Sequence, residues 1–258
     1  MKKGLIRGFL AALITGVILI PPIMMPPVWK LQDESITVTR WLKSGKTKVT
    51  VGPDQSGWTP VSTVSRHVLH AIITSEDARF EQHRGLDFRE IRLSLRTNLE
   101  KGRIVRGGST ITQQVVKVAF LSRQKSIIRK AREALGALLL EQLLDKERIL
   151  EWYINLVEFG GGVYGIAEAA HQYFDTEPRL LTIQQGVNLA LVLPGPNTWS
   201  RGLQDRRLTA FGQKRYATIV NQMYQNGYIT KTLRKTALAT GDFGEPVEAW
   251  YDEFGTKK

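Results

Sequence analysis

An acidic pair, Glu76-Asp77, stands at the end of the apolar run Val68-Leu69-His70-Ala71-Ile72-Ile73. The run reads as a helix packed into a core, so its last turn delivers a carboxylate from apolar surroundings. Loss of hydration raises the pKa of such a group and suits it to general-base chemistry. If the helix continues, Glu76, Phe80 and His83 share one face at i, i+4 and i+7. Taken alone, a Glu-Asp pair more often marks a solvated helix end with an acidic cap. Two further blocks change that reading. Arg106-Gly107-Gly108-Ser109-Thr110-Ile111-Thr112-Gln113-Gln114 follows about thirty residues on, and Arg129-Lys130-Ala131-Arg132-Glu133 lies on a stretch of strong helix formers.

Together the blocks resemble one family. Glu76-Asp77-x-x-Phe80-x-x-His83-x-Gly85-x-Asp87, then Gly107-Gly108-Ser109-Thr110-Ile111-Thr112-Gln113-Gln114-x-x-Lys117, then Arg129-Lys130-x-x-Glu133 are similar to the signature blocks of the peptidoglycan glycosyltransferases. These enzymes polymerise lipid II into glycan strands. The similarity runs on through Lys146-x-x-Ile149-Leu150-Glu151-x-Tyr153-x-Asn155 and Tyr173-Phe174, covering about residues 58–200. The chain departs from the usual pattern at Val118 and at Asp175-Thr176.

The resemblance implies an all-α, lysozyme-like catalytic domain with a small membrane-proximal lobe, preceded by one transmembrane helix. It puts the catalytic base at Glu76 and a second functional glutamate at Glu133. Glycosyl transfer from a pyrophosphate-activated sugar needs a base, cations for the departing diphosphate and a cleft holding both saccharides. Lys117, Lys125, Arg129, Lys130 and Arg132 would supply the positive charge. Ser109, Thr112, Gln113 and Gln114 offer hydroxyls and amides suited to sugar or phosphate oxygens. Read without the family, the basic cluster is a solvated helix face, Arg129 and Glu133 an i,i+4 ion pair, and Ser109 a helix cap. Asp77, Phe80 and His83 are expected to support Glu76 structurally. No cofactor is required by this chemistry, and stimulation by a divalent cation is left open.

Composition narrows the partners. The 258 residues carry 36 Lys plus Arg against 24 acids, a formal charge of +12, which favours phosphate-bearing or anionic-lipid partners. There is no cysteine, and the four histidines are His67, His70, His83 and His171, so a metal centre is not expected. Nucleic acid is disfavoured by the export signal and the lack of an aromatic stacking platform.

Met1-Lys2-Lys3 and Arg7 precede an uncharged run from Gly8 to Trp29, long enough to cross a bilayer if helical. The basic start places the amino terminus in the cytoplasm. The expected order is a cytoplasmic tail at 1–7, an anchor at 8–29, a connector with one or two strands at 30–57, a catalytic domain at 58–240 and a tail at 241–258. Helices are expected near 63–80, 87–101, 109–120, 125–144, 146–156, 163–174, 182–193, 204–226 and 230–239. Expected partners are lipid II, the growing glycan strand, membrane lipids and other cell-wall synthesis proteins, at a bacterial cytoplasmic (inner) membrane. Ser122-x-x-Lys125 formally satisfies a transpeptidase pattern, but no Lys-Thr-Gly element accompanies it. The competing readings are a membrane-tethered lytic glycan-cleaving enzyme and an inactive cell-wall assembly scaffold.

Overall fold

The computed structural model describes residues 25–42, 44–103, 107–124 and 126–240. Residues 1–7, most of the expected anchor, Lys125 and the tail from 241 lie outside them. Among the described residues no helix is long and apolar enough to cross a membrane.

The scaffold is mostly helical. In chain order it comprises α1 (Arg66–Glu76), α2 (Phe88–Lys101), α3 (Ile111–Phe120), α4 (Ile127–Leu143), α5 (Lys146–Leu156) and α6 (Ile166–Phe174). Then follow α7 (Ile183–Val192), the single-turn α8 (Pro196–Trp199) and α9 (Arg201–Gln204), α10 (Ala210–Gln225) and α11 (Lys231–Thr240). Two small hairpins accompany them, β1 (Ile36–Leu42) with β2 (Gly45–Val51), and β3 (Glu158–Gly160) with β4 (Val163–Tyr164). The first runs antiparallel from Ile36 opposite Val51 to Leu42 opposite Gly45. Its alternation buries Ile36 and Val38 on one face, as a half-buried strand requires.

Helix starts follow side-chain caps. Asp87, Thr110, Ser126, Asp145, Thr182 and Thr209 each accept a backbone N–H two or three residues into the helix. Thr110 with Gln113 and Thr182 with Gln185 form full capping boxes. The cap of α3 is thus Thr110 rather than the expected Ser109, whose hydroxyl has another partner.

Three further expectations are corrected. The helix expected over 63–80 ends at Glu76, because Asp77 leaves helical geometry and turns its carboxylate to another helix. Phe80 and His83 therefore do not continue the face of Glu76. The helix expected over 204–226 is divided, with Thr209 capping a fresh start at Ala210. Residues 30–57 are not a free connector: Leu31, Ile36, Val38 and Val51 join the main core, as does Val28 from the expected anchor. The indole Nε1 of Trp152 donates to Leu31 O at 2.8 Å, tying that entry segment to α5.

The centre is α7, buried along its whole length and packed against α1. Gly186 makes the contact possible: a Cβ there would lie 2.9 Å from Val68 Cα. Val61, Val64 and Val68 are buried in the core. Among the described residues, large exposed apolar side chains include Phe88, Leu95 and Leu99 on α2, Ile127 and Ile128 at the start of α4, and Phe211 on α10.

Candidate active site

The end of α1 places Glu76 half-buried against α3. Gln114 Nε2 donates to Glu76 Oε2 at 2.8 Å, and the Tyr153 hydroxyl donates to Gln114 Oε1 at 3.5 Å. The amide is thereby oriented with its N–H toward the carboxylate. Burial raises the Glu76 carboxyl above its usual range, aided by neighbouring Asp77. The Gln114 bond and the charges of Arg215 and Lys117 pull the other way. Tyr153, wholly enclosed, is pushed well above the usual phenol range, so it serves as a neutral donor.

Asp77 explains why Glu76 sits at a helix end. Its Oδ2 accepts the Ile111 backbone N–H at 3.0 Å, one of the orphan donors at the start of α3. His83 Nε2 lies 3.0 Å from both Asp77 oxygens. Thr110 Oγ1 donates to Gly85 O at 2.6 Å, and Arg79 bridges to Asp87 at 2.9 Å. Phe80 is buried, with Lys146 Nζ 4.4 Å from its ring centroid. The loop from 77 to 87 is thus tied to α3 and the α5 start, holding Glu76 in place. Gly85 adopts φ +85°, and a Cβ on it would lie 2.7 Å from Ala137 O on α4. No other residue type allows that approach without displacement.

The α4 helix carries the cations. Glu133, buried within it, is ion-paired to Lys130 and, at 3.4 Å, to Arg129 Nη1. Lys130 Nζ also donates to Ser109 Oγ at 2.8 Å, linking α4 to the loop before α3. Gly136 lets α3 and α4 meet closely: a Cβ there would lie 2.7 Å from Val116 Cγ1. Lys117, on the next turn of α3, interacts electrostatically with Glu133, Lys130, Glu76 and Arg129. Burial holds its ammonium below the ordinary lysine range, while the two carboxylates oppose that shift. Glu76, Lys117, Arg129, Lys130 and Glu133 consequently share one site.

Other named residues sit differently. Arg132 is half-buried, and its Nε has no hydrogen-bond partner among the described residues. Thr112 and Gln113 are buried and turned to structural bonds: Thr112 Oγ1 donates to Glu141 at 2.6 Å, and Gln113 completes the α3 capping box. Lys146 meets the same Glu141 oxygen at 2.6 Å, knitting α3, α4 and α5 together. The α5 block is scaffold as well. Glu151 accepts from Trp58 Nε1 and the Val61 N–H, while Asn155 pairs both ways with the Thr59 backbone at 2.8 Å. Tyr153 of that block connects to Glu76, through Gln114. A cavity of about 620 Å³ lies elsewhere, lined by His67, His70 and Tyr228 and by neither glutamate. Burial holds His67 down to about 4, so it is neutral at physiological pH. The convergence of charge, rather than cavity size, marks the site.

Sequence reasoning missed Arg215. It lies outside every recognised block, and only the packing of α10 onto α1 brings it near Glu76.

Comparison with known proteins agrees with this layout. The transglycosylase family matches residues 44–224, which include every residue of the shared site. The biosynthetic peptidoglycan transglycosylase of Paraburkholderia xenovorans (strain LB400) is 50% identical over 142 residues, 55% of this chain and 59% of that protein. The proteins of the same name from Herminiimonas arsenicoxydans and Burkholderia multivorans (strain ATCC 17616 / 249) are 41% and 44% identical. Their alignments cover 64% and 66% of this chain, and 70% and 67% of theirs. The chain spans about three fifths of the length of the first of these relatives. On the match over 44–224, the chain belongs to the transglycosylase family.

Proposed function

We propose that the protein is a peptidoglycan glycosyltransferase that polymerises lipid II into β-1,4 glycan strands and releases undecaprenyl diphosphate. The observation that carries this reading is the pairing of a half-buried, amide-oriented glutamate with a cation cluster built around a second glutamate. Glu76 takes the proton from the 4-hydroxyl of the acceptor sugar. That oxygen attacks the anomeric carbon of the donor as the bond to the diphosphate oxygen breaks. A single displacement inverts the α-linked donor to a β bond.

The leaving diphosphate develops charge that Lys130, Arg129 and Lys117 are disposed to stabilise. Glu133 already engages two cations, which supports a role in organising that pocket rather than in taking a proton. A lytic enzyme expels no diphosphate and has no use for such a cluster. The apolar run from Gly8 serves in this proposal as the membrane anchor, ending before Val28, which packs in the core, with the domain on the outer side of a bacterial cytoplasmic membrane. The lysozyme-like likeness and the membrane-proximal lobe belong to the same reading. Incubating the purified full chain with lipid II should yield glycan polymer on a gel. Cleavage of preformed glycan with no polymer from lipid II would overturn the proposal.

A further inference from the structure

Arg215 belongs to α10 and lies 140 positions from the serine it contacts. Its Nη2 donates to Ser75 Oγ at 3.3 Å, and that hydroxyl donates onward to Ala190 O on α7 at 3.2 Å. Ser75 immediately precedes Glu76. The guanidinium carbon lies 5.5 Å from the centroid of Trp199, which is braced edge-on by Phe211 at 5.3 Å. Cation–π attraction and the ring face restrict where the guanidinium can turn. Three elements, α7, α8 and α10, therefore converge on the residue beside the base. The positive charge of Arg215 also acts on the Glu76 carboxylate.

We propose that Arg215, held by Trp199 and Ser75, is a positioning residue for Glu76 that fixes the last turn of α1. The inference rests on the reading of Glu76 as the base. The groups acting on Glu76 are Asp77 on its own element, Gln114 and Lys117 on α3, Tyr153 on α5 and Arg215 on α10. Without Arg215, burial and Asp77 oppose ionisation against Lys117 and the Gln114 bond alone. A base must be ionised to accept a proton, so less of the enzyme would be competent at a given pH.

The alternative is that Arg215 merely staples α10 to α1, and a titration separates the two. The Glu76 carboxylate is read by infrared difference against Glu76→Gln in the full chain, without substrate. Arg215→Met should move it up by about 0.5–1 pH unit, with Arg215→Lys restoring most of the loss. Trp199→Leu should produce a smaller upward move. The acid limb of polymerisation should shift the same way, with roughly three- to tenfold lower kcat below it and little change in KM. An unmoved or lowered titration in Arg215→Met overturns the proposal, whatever happens to the melting temperature; should that variant not fold, the same outcome in Trp199→Leu decides it. Failure of the wild-type chain to polymerise lipid II would sink the glycosyltransferase reading, and the infrared titration would still decide the role of Arg215.

Discussion

The two glutamates of the site differ in company as well as in burial. Glu76 is met by one neutral amide, its cations acting from a distance, and burial raises its carboxyl above the usual range. Glu133 is deeply buried, yet two cations from its own helix touch it directly. A carboxylate bonded to two cations is poorly suited to accept a proton, whereas one bonded only to an amide is well suited. The two carboxylates thus differ in their partners, an amide at Glu76 and two cations at Glu133, and the proposed division of roles rests on that difference.

The sharpest way to break this contrast is Glu76→Gln. It should lower lipid II turnover by about 10²–10⁴-fold, and near-normal kcat would remove Glu76 as base. The sign of the stability effect is informative too. A carboxyl whose folded pKa is raised contributes stability that is full below its unfolded value and lost as pH rises through the folded one. At neutral pH the variant should therefore melt higher than the wild type, by roughly 2–4 °C. That margin should shrink as pH falls toward the model-peptide value of 4.5. The same raised pKa predicts that wild-type turnover falls with acidification at a pH above the ordinary glutamate range.

On the other side of the comparison, Lys130→Ala should reduce kcat by about 10–100-fold with the fold retained, because its ammonium is half exposed and Arg129 still pairs Glu133. Unchanged kinetics would strip the cluster of its phosphate role.

Gly85→Ala probes the loop that holds Glu76 rather than either carboxylate. The new methyl would meet Ala137 O in a backbone geometry that L side chains avoid. A loss of about 1–3 kcal/mol in chemical denaturation is expected. The smallest effect should come from Tyr153→Phe, which removes one long hydrogen bond to Gln114. Stability should fall by about 1 kcal/mol and turnover only a few-fold. A larger kinetic loss would give Tyr153 a more direct part than holding an amide.

Much of the scaffold was legible locally. The expected strands within 30–57 and the helix formers of 125–156 marked their elements within a few residues, whereas the capping pairs Thr110 with Gln113 and Thr182 with Gln185 emerged only in the structure. Family blocks drew attention to Glu76, Lys117, Lys130 and Glu133, but not to how their neighbours divide the work. Thr112 and Gln113 look like ligands for a polar substrate in sequence, yet their side-chain bonds run to the fold itself. A hydroxyl or amide has the same chemistry whether it meets a sugar or a backbone. Only the tertiary neighbours distinguish the two.

What the sequence by itself determined is most of the longer helices, through apolar periodicity and helix-forming composition. It also determined the presence of a carboxylate at the end of an apolar helix and of cations on another. The tertiary structure decided where α1 stops, because the acceptor that ends it, Asp77, is satisfied by the Ile111 N–H, 34 positions away. It also decided that Arg215 stands by Glu76, through a bond spanning 140 positions. Contacts of that range leave no trace in local propensity, since nothing in either segment alone favours them until the core between them has formed.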